Sequence, residues 1–222
     1  MCGRFAVTLP SDAMAQLFDA VPGNDLPQVP NYNVCPTNDV HAVWHDGSAR
    51  RLGAMRWGFL PHWYKAPNDG PLLINARAET IADKPAFRAA ARDRRCLIPA
   101  NGFYEWTKDA DGKRLPWYIH PADGEALAFA GVWQDWERDG TAYRTCAIVT
   151  TGANDAMSRI HHRMPVVLSS QDWPLWLGEA GHGAARLMTA APEDALAFYR
   201  VDPKVNSNKA SGPTLVEPLN PA

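Results

Sequence analysis

Apolar positions change their spacing several times along the chain, and each change marks an element. Met14, Leu17, Phe18 and Val21 recur at helical spacing behind Ser11, a residue type that caps helices, and Pro22-Gly23-Asn24 stops the run. An extended, Pro-rich stretch carries Tyr32-Asn33-Val34-Cys35-Pro36. From about His41 to Phe59 the pattern predicts two strands turned at Asp46-Gly47, with a loop opening at Pro61-His62-Trp63-Tyr64. Leu72 to Thr80 reads as a strand running into a turn, and Lys84 to Arg94 as an Ala-rich helix with arginines at its C-terminal end.

Strand-like runs then follow at Arg95–Trp106, Leu115–His120, Leu127–Trp136, Tyr143–Thr151 and Pro165–Ser169, with hairpin turns at Asp111-Gly112 and Asp139-Gly140. A short helix is expected after Ser170 and an extended polar tail from Val201. The expected fold class is α+β, mostly antiparallel and barrel-like twisted sheets with peripheral helices, and residues 1–222 are expected to form one domain.

Composition narrows the function classes. With 22 basic and 24 acidic residues the formal charge is −2, so any nucleic-acid binding must come from a local basic cleft, not from the field of the whole chain. The N-terminus has an early arginine and no apolar run behind it, which predicts a cytoplasmic protein without a membrane partner. Cys2, Cys35, Cys96 and Cys146 show no C-x-x-C spacing, so neither zinc nor a disulfide framework is expected, and no other cofactor is. Three of the cysteines are expected to be buried thiols; a monomer is the default.

Cys2 stands apart. A small second residue permits removal of the initiator methionine, which would leave a free α-amine and a thiol on adjacent carbons. Such a 1,2-aminothiol captures aldehydes: the amine forms an imine and the thiol closes a thiazolidine on the same carbon. An α-amine titrates at about 7.7–8.0, so a useful fraction is neutral at physiological pH, whereas a lysine at about 10.4 needs strong desolvation. Arg4 could hold a phosphate, although a solvated terminal charge is the commoner fate of such a residue. Glu105, flanked by aromatics in Asn101-Gly102-Phe103-Tyr104-Glu105-Trp106, is a general acid–base candidate or else a solvent-facing strand carboxylate. In Ile160-His161-His162-Arg163 one histidine could shuttle protons. Asn75 and Arg77, two apart, would share a strand face, or simply mark a strand end. Trp63, Tyr64 and Pro36 could wedge or stack on bases, or belong to the core.

Taken in order, these segments resemble the SOS-response-associated peptidase (SRAP) family of abasic-site-processing proteins. The resemblance runs through Met1-Cys2-Gly3-Arg4-Phe5, Tyr32 to Thr37, Trp57 to Pro61, Ile74 to Thr80, Arg95 to Ala100, Gly102 to Trp106, Ile160 to Pro165 and Val205-Asn206. It implies a protein that crosslinks itself to abasic sites in single-stranded DNA, with possible abasic-lyase activity. It implies Cys2 as nucleophile, Glu105 as the acid–base residue that also releases Met1, His161 as the proton donor that opens the sugar and Asn75 as the amide orienting residue 2. Arg4, Arg77 and Arg163 become phosphate grips, Trp63 and Pro36 the wedge, and Asn33, Tyr64 and Thr150 further DNA contacts. The chain departs from the family in having Tyr64 where a second tryptophan is common, Cys35 in place of alanine, and a longer Lys65–Gly70 stretch. An N-terminal-nucleophile amidohydrolase, a cysteine peptidase pairing Cys2 with His161, and a non-catalytic single-strand binder stand as the rival readings.

Overall fold

A computed structural model describes residues 2–219. Its first half runs β1 (Phe5–Val7), α1 (Ser11–Leu17), β2 (Ala20–Pro22), β3 (Asn31–Val34), β4 (Asp39–His45), β5 (Arg50–Trp57), β6 (Asn75–Arg77) and α2 (Arg88–Asp93). The second half runs β7 (Arg95–Ala100), β8 (Gly102–Lys108), β9 (Arg114–Pro121), β10 (Leu127–Arg138), β11 (Thr141–Gly152), α3 (Asp155–Ser158), β12 (Arg163–Pro165), α4 (Trp173–Leu177) and β13 (Leu196–Arg200).

Strands β5, β4, β7, β10 and β11 pair antiparallel in that order, and a parallel contact of Thr145 with Arg56 and Cys146 with Trp57 joins β11 back to β5. Five strands thus close a ring, and closure removes the exposed edges an open sheet would present. Fully buried Leu52, Met55, Trp57, Cys96, Ile98 and Cys146 belong to its core. A second sheet, in the order β13-β9-β8-β1-β3, packs against it through Phe5, whose ring lies 5.1 Å from Trp57 and 5.9 Å from Phe129. The α+β expectation holds: the pairing is mostly antiparallel and the helices are short.

The long run expected from Arg95 to Trp106 is two strands in two different sheets. The break falls at Asn101, whose Oδ1 accepts the Thr8 and Leu9 N–H groups at 2.6 and 3.2 Å. Gly102 follows because a Cβ there would sit 2.4 Å from the Tyr118 ring and 2.6 Å from the Ile119 carbonyl oxygen.

Other boundaries also move. Ser11 is the first helical residue and makes no capping bond, with Pro10 at the cap position. The helix expected from Lys84 begins at Arg88 after a run of turns, and the strand expected over Leu72–Thr80 shrinks to β6. The tail is not extended. It contains single 3₁₀ turns at Pro203–Asn206 and Pro213–Val216 that pack Val205 and Leu215 against Tyr104 and Tyr118. Cys96 and Cys146 are buried thiols as expected, but Cys35 is only half-buried. Among the described residues no helix is long and apolar enough to cross a membrane.

Candidate active site

Strand register brings the site together. β1 pairs with β8 at Phe5–Phe103 and Ala6–Gly102, and the Tyr104 N–H donates to the Arg4 carbonyl at 2.9 Å. Continuing that ladder toward the N-terminus sets Glu105 beside the Cys2-Gly3 segment. On the other flank β11 binds both β6 and β12, pairing Asn75 with Ile148, Arg77 with Thr150 and Arg163 with Gly152. Asn75 then reaches across, its Nδ2 donating to the Cys2 carbonyl at 2.9 Å, while its Oδ1 is buried and accepts no donor among the described residues.

Cys2 is fully buried. Burial, and then the nearby Glu105 charge, push its thiol far above the ordinary range, so it is held protonated. Glu105 is itself 3% exposed, and burial raises its carboxyl, with the charges of His162 and Arg114 pulling more weakly the other way. Burial lowers the His161 imidazole, which stacks on His162 at 4.4 Å. The Arg163 N–H donates to His161 Nδ1 at 3.0 Å, and the Arg163 carbonyl lies 3.1 Å from the same nitrogen. The two contacts ask opposite roles of Nδ1, which accepts from the Arg163 N–H in one tautomer and donates to the Arg163 carbonyl in the other. Beside these groups opens a cavity of about 360 Å³ lined by Gly3, Arg4, Glu105 and His161, with Trp106, Lys108 and Arg114 from the β8–β9 hairpin.

The residues expected to contact DNA divide by exposure. Arg77 is exposed, Pro36 half-buried on its turn, and Trp63 45% exposed. Tyr64 is not placed to stack on a base: it is 7% exposed, and its hydroxyl donates to the Pro71 carbonyl at 3.1 Å. Thr150 is fully buried, because it lies mid-ladder under β12. Arg163 is held by both oxygens of Glu79 at 2.6 and 2.9 Å and by the Thr150 carbonyl at 2.8 Å. Arg4 and Asn33 are buried partners, with Arg4 Nη1 donating to Asn33 Oδ1 at 2.6 Å and to the Val205 carbonyl at 2.9 Å. Arg4 Nη2 donates to Asn208 Oδ1 at 2.6 Å, and Asn33 Nδ2 to the Ser207 and Ala210 carbonyls at 3.1 and 2.7 Å. Met1 lies outside the described residues, and with it the expectation of its removal.

Sequence reasoning missed Lys108, Arg114 and Asn208, and gave no role to Asn206. Asn206 meets Trp106 from 100 positions away and Asn208 meets Arg4 from 204, which no local pattern reveals. Lys108 and Arg114 were within reach, since the Asp111-Gly112 turn sets them in register.

The fold and the cavity define a class: a closed β-barrel carrying a second sheet that sets a cysteine at position 2 against a buried carboxyl and a neutral imidazole. A protein from Bacteroides thetaiotaomicron has the same fold, with TM-score 0.86 over 99% of this chain and 100% of that one, at 23% identity. The chain belongs to the SOS response associated peptidase (SRAP) family, whose model matches residues 1–208. It is 38% identical to the abasic site processing protein YoqW of Bacillus subtilis, over 98% of this chain and 99% of that protein. To the abasic site processing protein YedK of Escherichia coli it is 30% identical over 99% and 100% of the two chains. To HMCES of Rattus norvegicus, likewise an abasic site processing protein, it is 29% identical over 99% of this chain and 76% of that one.

Proposed function

We propose that the chain, as one domain, processes abasic sites in single-stranded DNA by forming a covalent thiazolidine through Cys2 once Met1 has been removed. The observation that carries this reading is the grip of Asn75 on residue 2: its amide holds the Cys2 carbonyl at 2.9 Å and leaves a buried acceptor, Oδ1, for the freed α-amine. The names of the relatives supply the substrate class.

The chemistry follows from the protonation states. His161 gives a ring proton to the sugar ring oxygen and so favours the open aldehyde. The neutral α-amine adds to the aldehyde carbon, and the carbonyl oxygen leaves as water. The Cys2 sulfur then bonds to the same carbon, its proton passing to the imine nitrogen. Glu105, whose burial favours its neutral form, supplies and takes back the proton in these steps and in Met1 release. An imine at that carbon also permits β-elimination, hence an abasic-lyase side reaction. Trp63 and Pro36 are the wedge, and Arg77 is the phosphate contact with its charge still exposed to solvent.

The test is a denaturing gel of the protein with single-stranded DNA carrying one abasic site, paired with intact mass. A heat-resistant shifted band with protein mass lacking Met1 is expected, and Cys2→Ala should give none. A denaturation-resistant adduct from Cys2→Ala would overturn the assignment.

A further inference from the structure

The β8–β9 hairpin contributes Trp106, Lys108 and Arg114 to the cavity wall. On that hairpin Lys108 and Arg114 are paired directly across the ladder. Like charges directly opposite destabilise a sheet, so an uncompensated pair needs a reason. Among the described residues Arg50, Arg51, Arg144 and Arg163 each bind a carboxylate. Lys108 and Arg114 enter no ion pair among the described residues, although both line the cavity.

Arg114 is nevertheless held in place. Its guanidinium carbon lies 4.5 Å from the Trp106 ring centroid, and the Trp106 Nε1–H donates to Asn206 Oδ1 at 2.6 Å. Asn206 Nδ2 in turn donates to the Arg114 carbonyl at 3.4 Å. A stacked guanidinium keeps its N–H edges open for a planar or tetrahedral oxyanion.

We propose that Lys108 and Arg114, braced by Trp106, form a phosphate site on the cavity wall that takes the phosphate carried by the aldehyde-bearing sugar. The site rests on the aminothiol reading of Cys2 and extends its substrates to free phosphorylated aldehyde sugars. Capture of such a sugar makes one C–N and one C–S bond at the aldehyde carbon and releases the carbonyl oxygen as water, so no oxidant or reductant is involved.

The test compares 2-deoxyribose 5-phosphate with 2-deoxyribose, using protein shown by mass to lack Met1 and reading the adduct of sugar minus water. The phosphorylated sugar should react about tenfold faster, which corresponds to about 1.4 kcal/mol. Lys108→Gln with Arg114→Gln should bring that preference near unity. With abasic single-stranded DNA the same variant should flatten the log–log salt dependence by about 0.7 for each phosphate it no longer neutralises. Arg114→Lys keeps the charge without the stacked fork and should give an intermediate preference. Loss of the sugar preference with an unchanged DNA salt slope would assign the site to free sugar phosphates rather than to the strand. A retained preference overturns the site, as does an equal slowing with both sugars. No adduct with either sugar from wild-type protein would overturn the aminothiol reading, and the site with it.

Discussion

Replacing Asn33 by leucine should be among the costliest single changes near the site, and Asn208→Ala among the mildest, although both residues accept from the same guanidinium. Asn33 is buried and serves three partners: it accepts from Arg4 Nη1 at 2.6 Å and donates to the Ser207 and Ala210 carbonyls at 3.1 and 2.7 Å. A hydrogen bond to a charged group contributes about 1.5–3 kcal/mol, and a carbonyl left without a donor costs about 1 kcal/mol or more. Together these give roughly 4 kcal/mol. Asn208 is exposed and makes one such bond, at 2.6 Å, which water can replace, so its loss costs about 1 kcal/mol. Over 222 residues an unfolding entropy of about 2.1 cal/mol/K per residue makes each kcal/mol worth about 2 °C. Thermal melts should show drops of about 8 °C for Asn33→Leu and about 2 °C for Asn208→Ala. Arg4 lies two residues from Cys2, so crosslinking at a temperature where both variants are folded should slow in the same order. Equal drops in the two melts, or a drop below about 3 °C for Asn33→Leu, would refute the argument that burial and partner number set the cost.

Two further outcomes follow from titration. Burial holds Glu105 above the usual carboxylate range, so the folded state keeps a proton that the unfolded state has lost, and stability falls as pH rises above about 4.5. Glu105→Gln should therefore gain thermal stability relative to wild type at pH 7 but not at pH 4, while crosslinking slows; a variant less stable at pH 7 than at pH 4, relative to wild type, would contradict the sign. His41 is buried, its Nδ1 accepts no donor among the described residues, and burial lowers its pKa to about 4. The unfolded state then binds the extra proton first, so stability present above pH 6.5 is lost as pH falls through about 4, amounting to about 3 kcal/mol. His41→Leu should remove that acid sensitivity in urea titrations at pH 7 and pH 4, and parallel losses in both proteins would refute the role.

What was legible in the sequence was whatever a turn or an ordered motif could mark. The Asp46-Gly47 and Asp111-Gly112 turns give their hairpins, and the motif order gives the family. Elements whose existence depends on a distant partner were not legible. β1, with only Phe5-Ala6-Val7, is a strand because β8 and β3 flank it. β13 exists as the partner of β9. The single-residue passage at Asn101 cannot be read from alternation, because the apolar pattern continues while the chain changes sheets. At the site, residue types pointed to Cys2, Asn75, Glu105 and His161; Glu105 and His161 line the cavity, and Asn75 donates to the Cys2 carbonyl. Tyr64 and Thr150, expected as DNA contacts, are buried, and neither motif nor spacing reveals which side of a sheet or loop is covered.

A net charge of −2 is a poor advertisement for a nucleic-acid protein, and the sorting of charges resolves the tension. Attraction for a phosphate depends on the cations within about a Debye length, roughly 10 Å at ordinary ionic strength, not on the sum over the chain. Away from the cavity some arginines are spent on carboxylates, as Arg50 is on Glu179 and Arg144 on Asp135. At the cavity Arg4 is held by amide and carbonyl oxygens and Arg114 by an indole. Neutral partners fix a guanidinium without cancelling its charge. The same choice explains why the buried Glu105 stands among cations and yet keeps a raised pKa: desolvation outweighs their pull. On the proposed reading, the cations beside the cavity recruit a phosphate strand while burial keeps the Glu105 carboxyl protonated enough to donate.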